Sequence, residues 1–218
     1  MTLRALSPLE ARVLGVLVEK QHTVADSYPL SLNALLLGCN QKTAREPVIN
    51  ATEAELLVTV DALKAMSLVI EVSGSRVSRY EHNVKRVLGV PSQSVALLTL
   101  LMLRGPQTSA ELRANTERLH RFADISSVEG FLDELTLREP PLVARLPRAP
   151  GAREQRWAHL LCGAVDLTAA AAQAGPDDFV AAGEIAALKA EQSRLAAELA
   201  ELRALVVRMA GELGIDPS

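Results

Sequence analysis

The sequence has few aromatic residues and only two cysteines, and both shortages narrow what the chain can be. Phe, Tyr and Trp make up 3% of the 218 residues, whereas hydrophobic residues make up 49%. Aliphatic side chains must therefore fill any core, and a chain disordered throughout is excluded. Cys39 and Cys162 lie far apart in sequence, and neither belongs to a Cys-x-x-Cys pair. We expect two small buried thiols rather than a zinc site or a redox motif.

Long apolar runs are also missing. The longest uncharged apolar run extends from Val95 to Leu103, which is about half of the ~20 residues that a membrane-spanning helix needs. The first eight residues lack the apolar segment of a signal peptide. We therefore expect a soluble cytoplasmic protein that does not enter a membrane.

The sequence offers little for catalysis. Its four histidines are scattered, and the chain contains no His-x-x-x-His pair, no phosphate-binding glycine-rich loop and no nucleophile elbow. The scattered histidines are best explained as structural residues, either buried or at the surface, with ordinary hydrogen bonds. We predict a protein that is not an enzyme and that has no cofactor and no metal ion. The histidines are His22, His82, His120 and His159.

Four segments begin with a capping box, in which a Ser or Thr caps the helix and a Glu three residues later bonds back to it. Hydrophobic residues recur at helical spacing after them. Ser31 predicts a further helix as a plain N-cap, and another helix is predicted from about Ser92 to Arg104, where Gly105 and Pro106 end it. The capping boxes are Ser7 with Glu10, Thr52 with Glu55, Thr108 with Glu111, and Ser126 with Glu129.

The hydrophobic pattern changes twice from a helical to a strand-like period. Residues 68–72 and 77–80 predict one β-hairpin, and residues 142–146 and 155–158 predict a second. Each hairpin follows three helices, so the order helix, helix, helix, hairpin occurs twice. The sequence therefore predicts a mainly α protein with small β-hairpins, of the α+β class, built from tandem winged-helix domains. We place these domains at residues 1–90 and 91–163.

The C-terminal part has a different pattern. Residues 164–182 are rich in alanine and contain Gly175-Pro176, which predicts a linker. In residues 183–214 the apolar residues recur at alternating intervals of three and four residues, which is the pattern of the a and d positions that form the seam of a coiled coil. We expect a homo-oligomer, most simply a dimer, through this helix, and the alternative is a long amphipathic helix packed on the second domain. The seam contains Ile185, Leu188, Gln192, Leu195, Leu199, Leu202, Val206, Met209 and Leu213.

Charge is distributed unevenly along the chain. Residues 1–90 carry ten Lys and Arg against nine Asp and Glu, and residues 91–163 carry nine against eight. Residues 164–218 carry four against nine, so the acidic charge is concentrated in the tail. Each predicted domain is nearly neutral, which is a weak electrostatic signature for binding nucleic acid.

Three segments resemble the hallmark of the YceH-like family of bacterial proteins of unknown function: residues 28–35, 39–42 and 45–48. Further matching blocks lie at residues 103–108, 111–113, 146–148, 150–151 and 159–161. The resemblance covers residues 3–163 and implies tandem winged-helix domains. It implies no activity, because the family has no established catalytic or ligand-binding residues. Ala44 departs from the family pattern, in which a polar residue such as Asn usually precedes the arginine.

DNA-binding winged helices usually insert their third helix into the major groove and lay the hairpin against phosphates. Both third helices of this chain are predominantly acidic, and the cations lie in loops and hairpins instead. Arg121 extends a stripe of arginines that begins at Arg113. The candidates for binding nucleic acid or a protein partner are Lys42, Arg45, Arg76, Arg79, Arg113, Arg118, Arg145, Arg148, Arg153 and Arg156.

Three functions remain open at this point. The first is a DNA-associated regulatory or architectural factor, and the second is a protein-interaction scaffold that resembles ScpB-type winged-helix proteins and does not bind DNA directly. A small-molecule sensor is a third possibility and would require a cavity between the domains. Asn33, Asn40 and Gln41 are expected to cap the backbone of their own loop, with contact to a partner as the alternative.

Overall fold

The computed structural model describes residues 4–72, 77–148 and 153–164. The predicted linker beyond residue 164 and the predicted coiled-coil helix, with its seam from Ile185 to Leu213, lie outside the described residues. Arg76 also lies outside them. All described residues belong to a single unit within residues 1–171.

The first half of this unit combines three helices with a small sheet. A single-turn 3-10 helix at Ala25–Ser27 follows the first helix. The sheet is antiparallel with the strand order β1-β3-β2, and Leu30 lies opposite Tyr80. The elements are α1 (Pro8–Thr23), β1 (Leu30–Ser31), α2 (Leu32–Cys39), α3 (Glu53–Ala65), β2 (Val69–Val72) and β3 (Arg79–His82).

The second half repeats this order after a short connecting helix. Its two strands are antiparallel, and Gln107 forms an isolated bridge with Trp157 of the last strand. Gln107 therefore occupies the position that β1 holds in the first half, immediately before the second helix of the repeat. The elements are α4 (Val84–Leu88), α5 (Ser92–Arg104), α6 (Ser109–Asn115), α7 (Ile125–Thr136), β4 (Val143–Arg145) and β5 (Trp157–His159).

The mixture of helices and small antiparallel sheets agrees with the predicted α+β class. In the described residues, no helix is both long and apolar enough to cross a membrane. The sequence did not predict β1, the 3-10 helix or α4. β1 has only two residues and owes its conformation to its pairing with β3, which a local pattern does not reveal.

Three of the four predicted capping boxes are present, at Ser7, Thr52 and Thr108. The predicted start at Ser126 is wrong. The Asp124 side chain accepts a hydrogen bond of 2.7 Å from the Ser127 N–H, so that α7 begins at Ile125 and Ser126 is its second residue. Aspartate caps as well as serine does, and its charge is also favourable at a helix N-terminus.

The packing of α1 against α5 joins the two halves. All residues of α1 from Glu10 to Val18 are buried, because α2, α3 and β3 cover one side of this helix and α5 covers another. Residues 94–103 of α5 are likewise buried. Gly15 permits the close approach, since a Cβ atom at this position would lie 2.8 Å from two side-chain carbons of Leu103. Both helices are therefore buried around most of their circumference.

Substitution of Gly15 tests this contact. The change Gly15→Ala should lower the free energy of unfolding by about 1–3 kcal/mol, because the added methyl group overlaps Leu103 in a filled core. Gly130→Ala is the matched control, since a Cβ atom there meets no atom within 4 Å. That change should raise the free energy of unfolding by about 0.5–1 kcal/mol through helix propensity. Urea denaturation measures both, and equal effects would contradict the proposed close approach.

Candidate binding surfaces

Arg45, one of the candidate binding residues, is buried inside the first half. Its guanidinium donates hydrogen bonds to both carboxylate oxygens of Glu19, at 3.0 and 2.6 Å, and to the Gly38 carbonyl at 3.2 Å. Burial alone would raise the pKa of Glu19, but the hydrogen bonds and charge of Arg45 outweigh it, and the pKa lies below its usual value. Arg45 holds its own loop and does not present its charge to a partner.

The loop between α2 and α3 contains much of the hallmark segment, and side chains within the protein fix its backbone. Arg12 of α1 is buried and donates to the carbonyls of Cys39, at 3.2 Å, and Pro47, at 2.6 Å. The Asn40 amide exchanges two hydrogen bonds with the backbone of Ala51, at 2.9 and 2.8 Å. This part of the hallmark therefore maintains the fold.

The expected loop-capping role is confirmed for Asn40 and for Gln41, whose amide donates to the Thr43 carbonyl at 2.9 Å. Asn33 lies exposed on α2.

Lys42 and Arg79 are the other described cations among the first-half candidates. Lys42 is exposed in the loop before α3. Arg79 is exposed on β3, and its guanidinium donates to the carbonyls of Ser27, at 3.3 Å, and Pro29, at 2.8 Å. Arg79 thus ties the hairpin to the chain that enters β1, which leaves Lys42 as the more accessible charge.

Two arginines of the second hairpin also have internal partners. Arg156 is half-buried and donates to the Pro106 carbonyl, at 3.0 Å, and to the Glu111 carboxylate, at 3.2 Å. Arg145 lies over the Trp157 ring, 4.4 Å from its centroid, and approaches Asp133 at 3.7 Å. These contacts stabilise the hairpin and partly neutralise it.

The remaining candidates of the second half are exposed. Arg113 donates to the Ala123 carbonyl at 3.0 Å. Arg118, Arg148 and Arg153 lie at the surface, as does Arg121. The structure places Arg145 and Arg156 on the two strands of the second hairpin, or beside them, whereas Lys42 and Arg79 belong to the other half.

The surface of α3 is apolar and acidic. Leu57 and Val58 expose 42% and 72% of their surface, although the buried stripe of the helix passes through the neighbouring Leu56 and Val60. Lys64, the one cation of α3, donates to the carboxylates of Asp61 and Glu71. We use the term α3 face for the exposed residues that follow one another along this side of the helix: Glu53, Ala54, Leu57, Val58 and Asp61.

The corresponding helix of the second half, α7, is similar in character. Ile125, Asp133 and Glu134 are exposed. Arg138, just beyond the helix, donates to the Leu88 carbonyl at 2.7 Å and to the Gly89 carbonyl at 3.3 Å, so its charge is directed towards the end of α4. Neither third helix presents a row of cations.

The cysteines and the buried histidines are poorly suited to chemistry. Burial raises the pKa of Cys39 to about 12 and also raises that of Cys162, although Cys162 is only half-buried. Burial lowers the pKa of His82 and of His159 to about 4, so both are neutral at pH 7. Among the described residues, no group of three or more His, Cys, Asp or Glu is arranged to hold a metal ion.

Comparison with known proteins gives a family but no activity. The profile of a family described as a protein of unknown function, DUF480, matches residues 6–152. A UPF0502 protein of Methylibium petroleiphilum is 74% identical over 217 residues, which covers 99% of this chain and 93% of the relative. UPF0502 proteins of Burkholderia multivorans and Burkholderia thailandensis are 70% and 68% identical, and each match covers 98% of this chain and 92% of the relative.

The buried pair of Arg45 and Glu19 predicts a stability effect rather than a binding effect. Arg45→Gln should lower the free energy of unfolding by about 3 kcal/mol, because it breaks the buried ion pair and leaves Glu19 with only the Lys20 ammonium, 3.2 Å away, as a counter-charge. Lys42→Gln, an exposed neighbour in the same loop, should change it by less than about 0.5 kcal/mol. Chemical denaturation measures both variants. A stable Arg45→Gln protein would mean that the pair contributes little to the fold.

Proposed function

The chain belongs to the DUF480 family of proteins of unknown function, in agreement with its YceH-like hallmark, and we propose that it is a tandem winged-helix protein that binds a partner protein. The repeated order of helices and hairpin supports the winged-helix assignment. A further similarity supports it, because in each half a segment before the second helix pairs with the last strand of the hairpin. We propose a binding role without catalysis.

The α3 face is the observation that carries this proposal. In a winged-helix domain that binds DNA, the third helix is the element that usually enters the major groove. Here it presents Leu57 and Val58 together with the carboxylates of Glu53 and Asp61. A duplex would place its phosphates against these carboxylates, which costs affinity. A protein surface would gain from burial of the exposed aliphatic side chains.

Charge complementarity defines the partner as a protein segment that carries Lys or Arg beside apolar side chains. The carboxylates of the α3 face would pair with the cations, and Leu57 and Val58 would contact the apolar residues. The chain's own tail is a poor occupant, because residues 164–218 carry nine acidic and four basic side chains. The α3 face of a second copy is unsuitable for the same reason.

DNA association is the second candidate, and one observation favours it. Arg148 and Arg153 are exposed beside the second hairpin, and Arg145 is close to them in sequence on β4. A wing that lies along phosphates would use such side chains. The α3 face and the second hairpin are separate groups of residues, so variants of each distinguish the two functions.

We also propose that residues 183–214 form a coiled-coil helix that joins two copies of the chain. The nine-position seam from Ile185 to Leu213 supports this assignment. Dimerisation would present two α3 faces and increase the apparent affinity for a partner with two matching segments.

Reversal of charge on the α3 face tests the protein-binding proposal. Fluorescence anisotropy would compare a labelled amphipathic Lys/Leu peptide, its Glu/Leu counterpart and a 30-base-pair duplex as ligands of the full chain. Only the Lys/Leu peptide should bind, and Glu53→Lys with Asp61→Lys should weaken it about tenfold or more, since two attractive charges become repulsive.

The matched control is Glu117→Lys with Glu139→Lys, two exposed acids outside α3, which should leave affinity unchanged. Equal loss in both double variants would contradict a defined α3 site. The DNA function would be established instead if the wild-type protein and the α3 double variant bind the duplex and the double variant Arg148→Glu/Arg153→Glu does not.

Deletion of residues 181–218 tests the oligomeric proposal. Light scattering should give twice the chain mass for the full protein and the monomer mass for the shortened one, because the seam is removed. The same mass for both proteins would place the oligomer contact elsewhere or exclude an oligomer.

A further inference from the structure

An open cavity of about 560 Å³ lies beside α4, the connection between the two halves. This volume is within the range of small-molecule sites in proteins, roughly 300–1,000 Å³. The cavity is formed by the end of β3, by α4 and by the two residues that follow α4. It is lined by His82, Asn83, Lys85, Arg86, Gly89 and Val90.

Contacts from both halves fix the backbone around the cavity. The Asn83 amide donates to the Ser67 carbonyl at 3.0 Å, and the His82 N–H donates to the Tyr28 hydroxyl at 2.8 Å. At the other end, Arg138 of the second half donates to the carbonyls of Leu88 and Gly89. Gly89 has a φ of 60° and ends α4 in the left-handed conformation. The cavity is therefore built on a supported backbone.

The lining is positively charged. Lys85 and Arg86 are exposed, and the six lining residues include no carboxylate. The Lys85 ammonium donates to the Ser92 hydroxyl at 3.0 Å, a neutral partner that leaves its charge in place. Arg138 adds a third cation nearby, because a Cβ atom at Gly89 would lie 3.7 Å from its Nη2. The cavity thus has two cations in its lining, and Val90, which is only 4% exposed, lies at its base.

We propose that this cavity binds a small organic anion, with its phosphate or carboxylate group at Lys85 and Arg86 and its organic part in the remaining space of the cavity. Arginine and lysine bind such groups through charge-assisted hydrogen bonds. The site lies outside the α3 face, so the proposal is independent of the protein partner. A bound anion would contact α4, the connection between the two halves.

Phenyl phosphate is a suitable probe because it combines an anionic group with an apolar ring. Titration of the ¹⁵N-labelled full chain, at constant ionic strength, should shift the amide signals of residues 82–90 in a saturable manner. Benzoate replaces phosphate by carboxylate in a second titration, and inorganic phosphate shows what the anion contributes alone. Benzyl alcohol, the neutral analogue, should not produce these shifts.

The double variant Lys85→Gln/Arg86→Gln should bind the anionic probe about tenfold more weakly or worse, because both charge-assisted contacts are lost. Arg118→Gln with Arg121→Gln, two exposed arginines away from the cavity, is the control and should bind as the wild type does. The α3 double variant should also bind normally, which separates this test from that of the partner site.

Saturable shifts with phenyl phosphate or benzoate that disappear in the Lys85 and Arg86 variant would support the site and identify the anionic group. Shifts spread over the surface, equal binding by both double variants, or no response to either anion would overturn the proposal. Unchanged dispersion of the remaining amide signals would show that the variants are folded.

Discussion

The contact between α1 and α5 is the constraint on which the rest of the described structure depends. Gly15 and Leu103 bring the two helices close together, and each helix is the central element of its own half. The first half packs α2, α3 and β3 around α1, while α7 and β5 pack on α5. The two repeats therefore share one apolar interior. A substitution at this contact would affect both sheets, because α1 packs against β3 and α5 packs against β5.

Burial of α1 also explains how the protein uses its arginines. A buried polar group needs a hydrogen-bond partner, and Arg12 and Glu19 of α1 find partners in Pro47 and Arg45 of the loop between α2 and α3. Arg79, Arg138 and Arg156 similarly donate to carbonyl groups that lie outside the regular elements. Much of the positive charge in the described residues therefore fixes connections between elements, and Lys42, Arg148 and Arg153 are among the cations that stay exposed.

Periodicity and capping chemistry predicted most of the elements, because both act within a few residues. Ser7, Thr52 and Thr108 start helices as predicted, and Gly105 ends α5. The candidate site was harder to predict, since a sequence shows that a residue is charged but not what it contacts. Arg45 looked like a free cation of a loop and is buried against Glu19. Conversely, the exposure of Leu57 and Val58 could be predicted from the sequence, because both lie beside the helical stripe that contains the buried Leu56 and Val60.

The pairing of Gln107 with Trp157, and of β1 with β3, fixes the last strand of each hairpin from the side opposite its partner strand. Register in a simple hairpin is set largely by its turn. Here a pairing outside the hairpin also restrains the register of the last strand. Tyr80 and Trp157, which are both buried, are consequently held in the core by strand pairing on two sides.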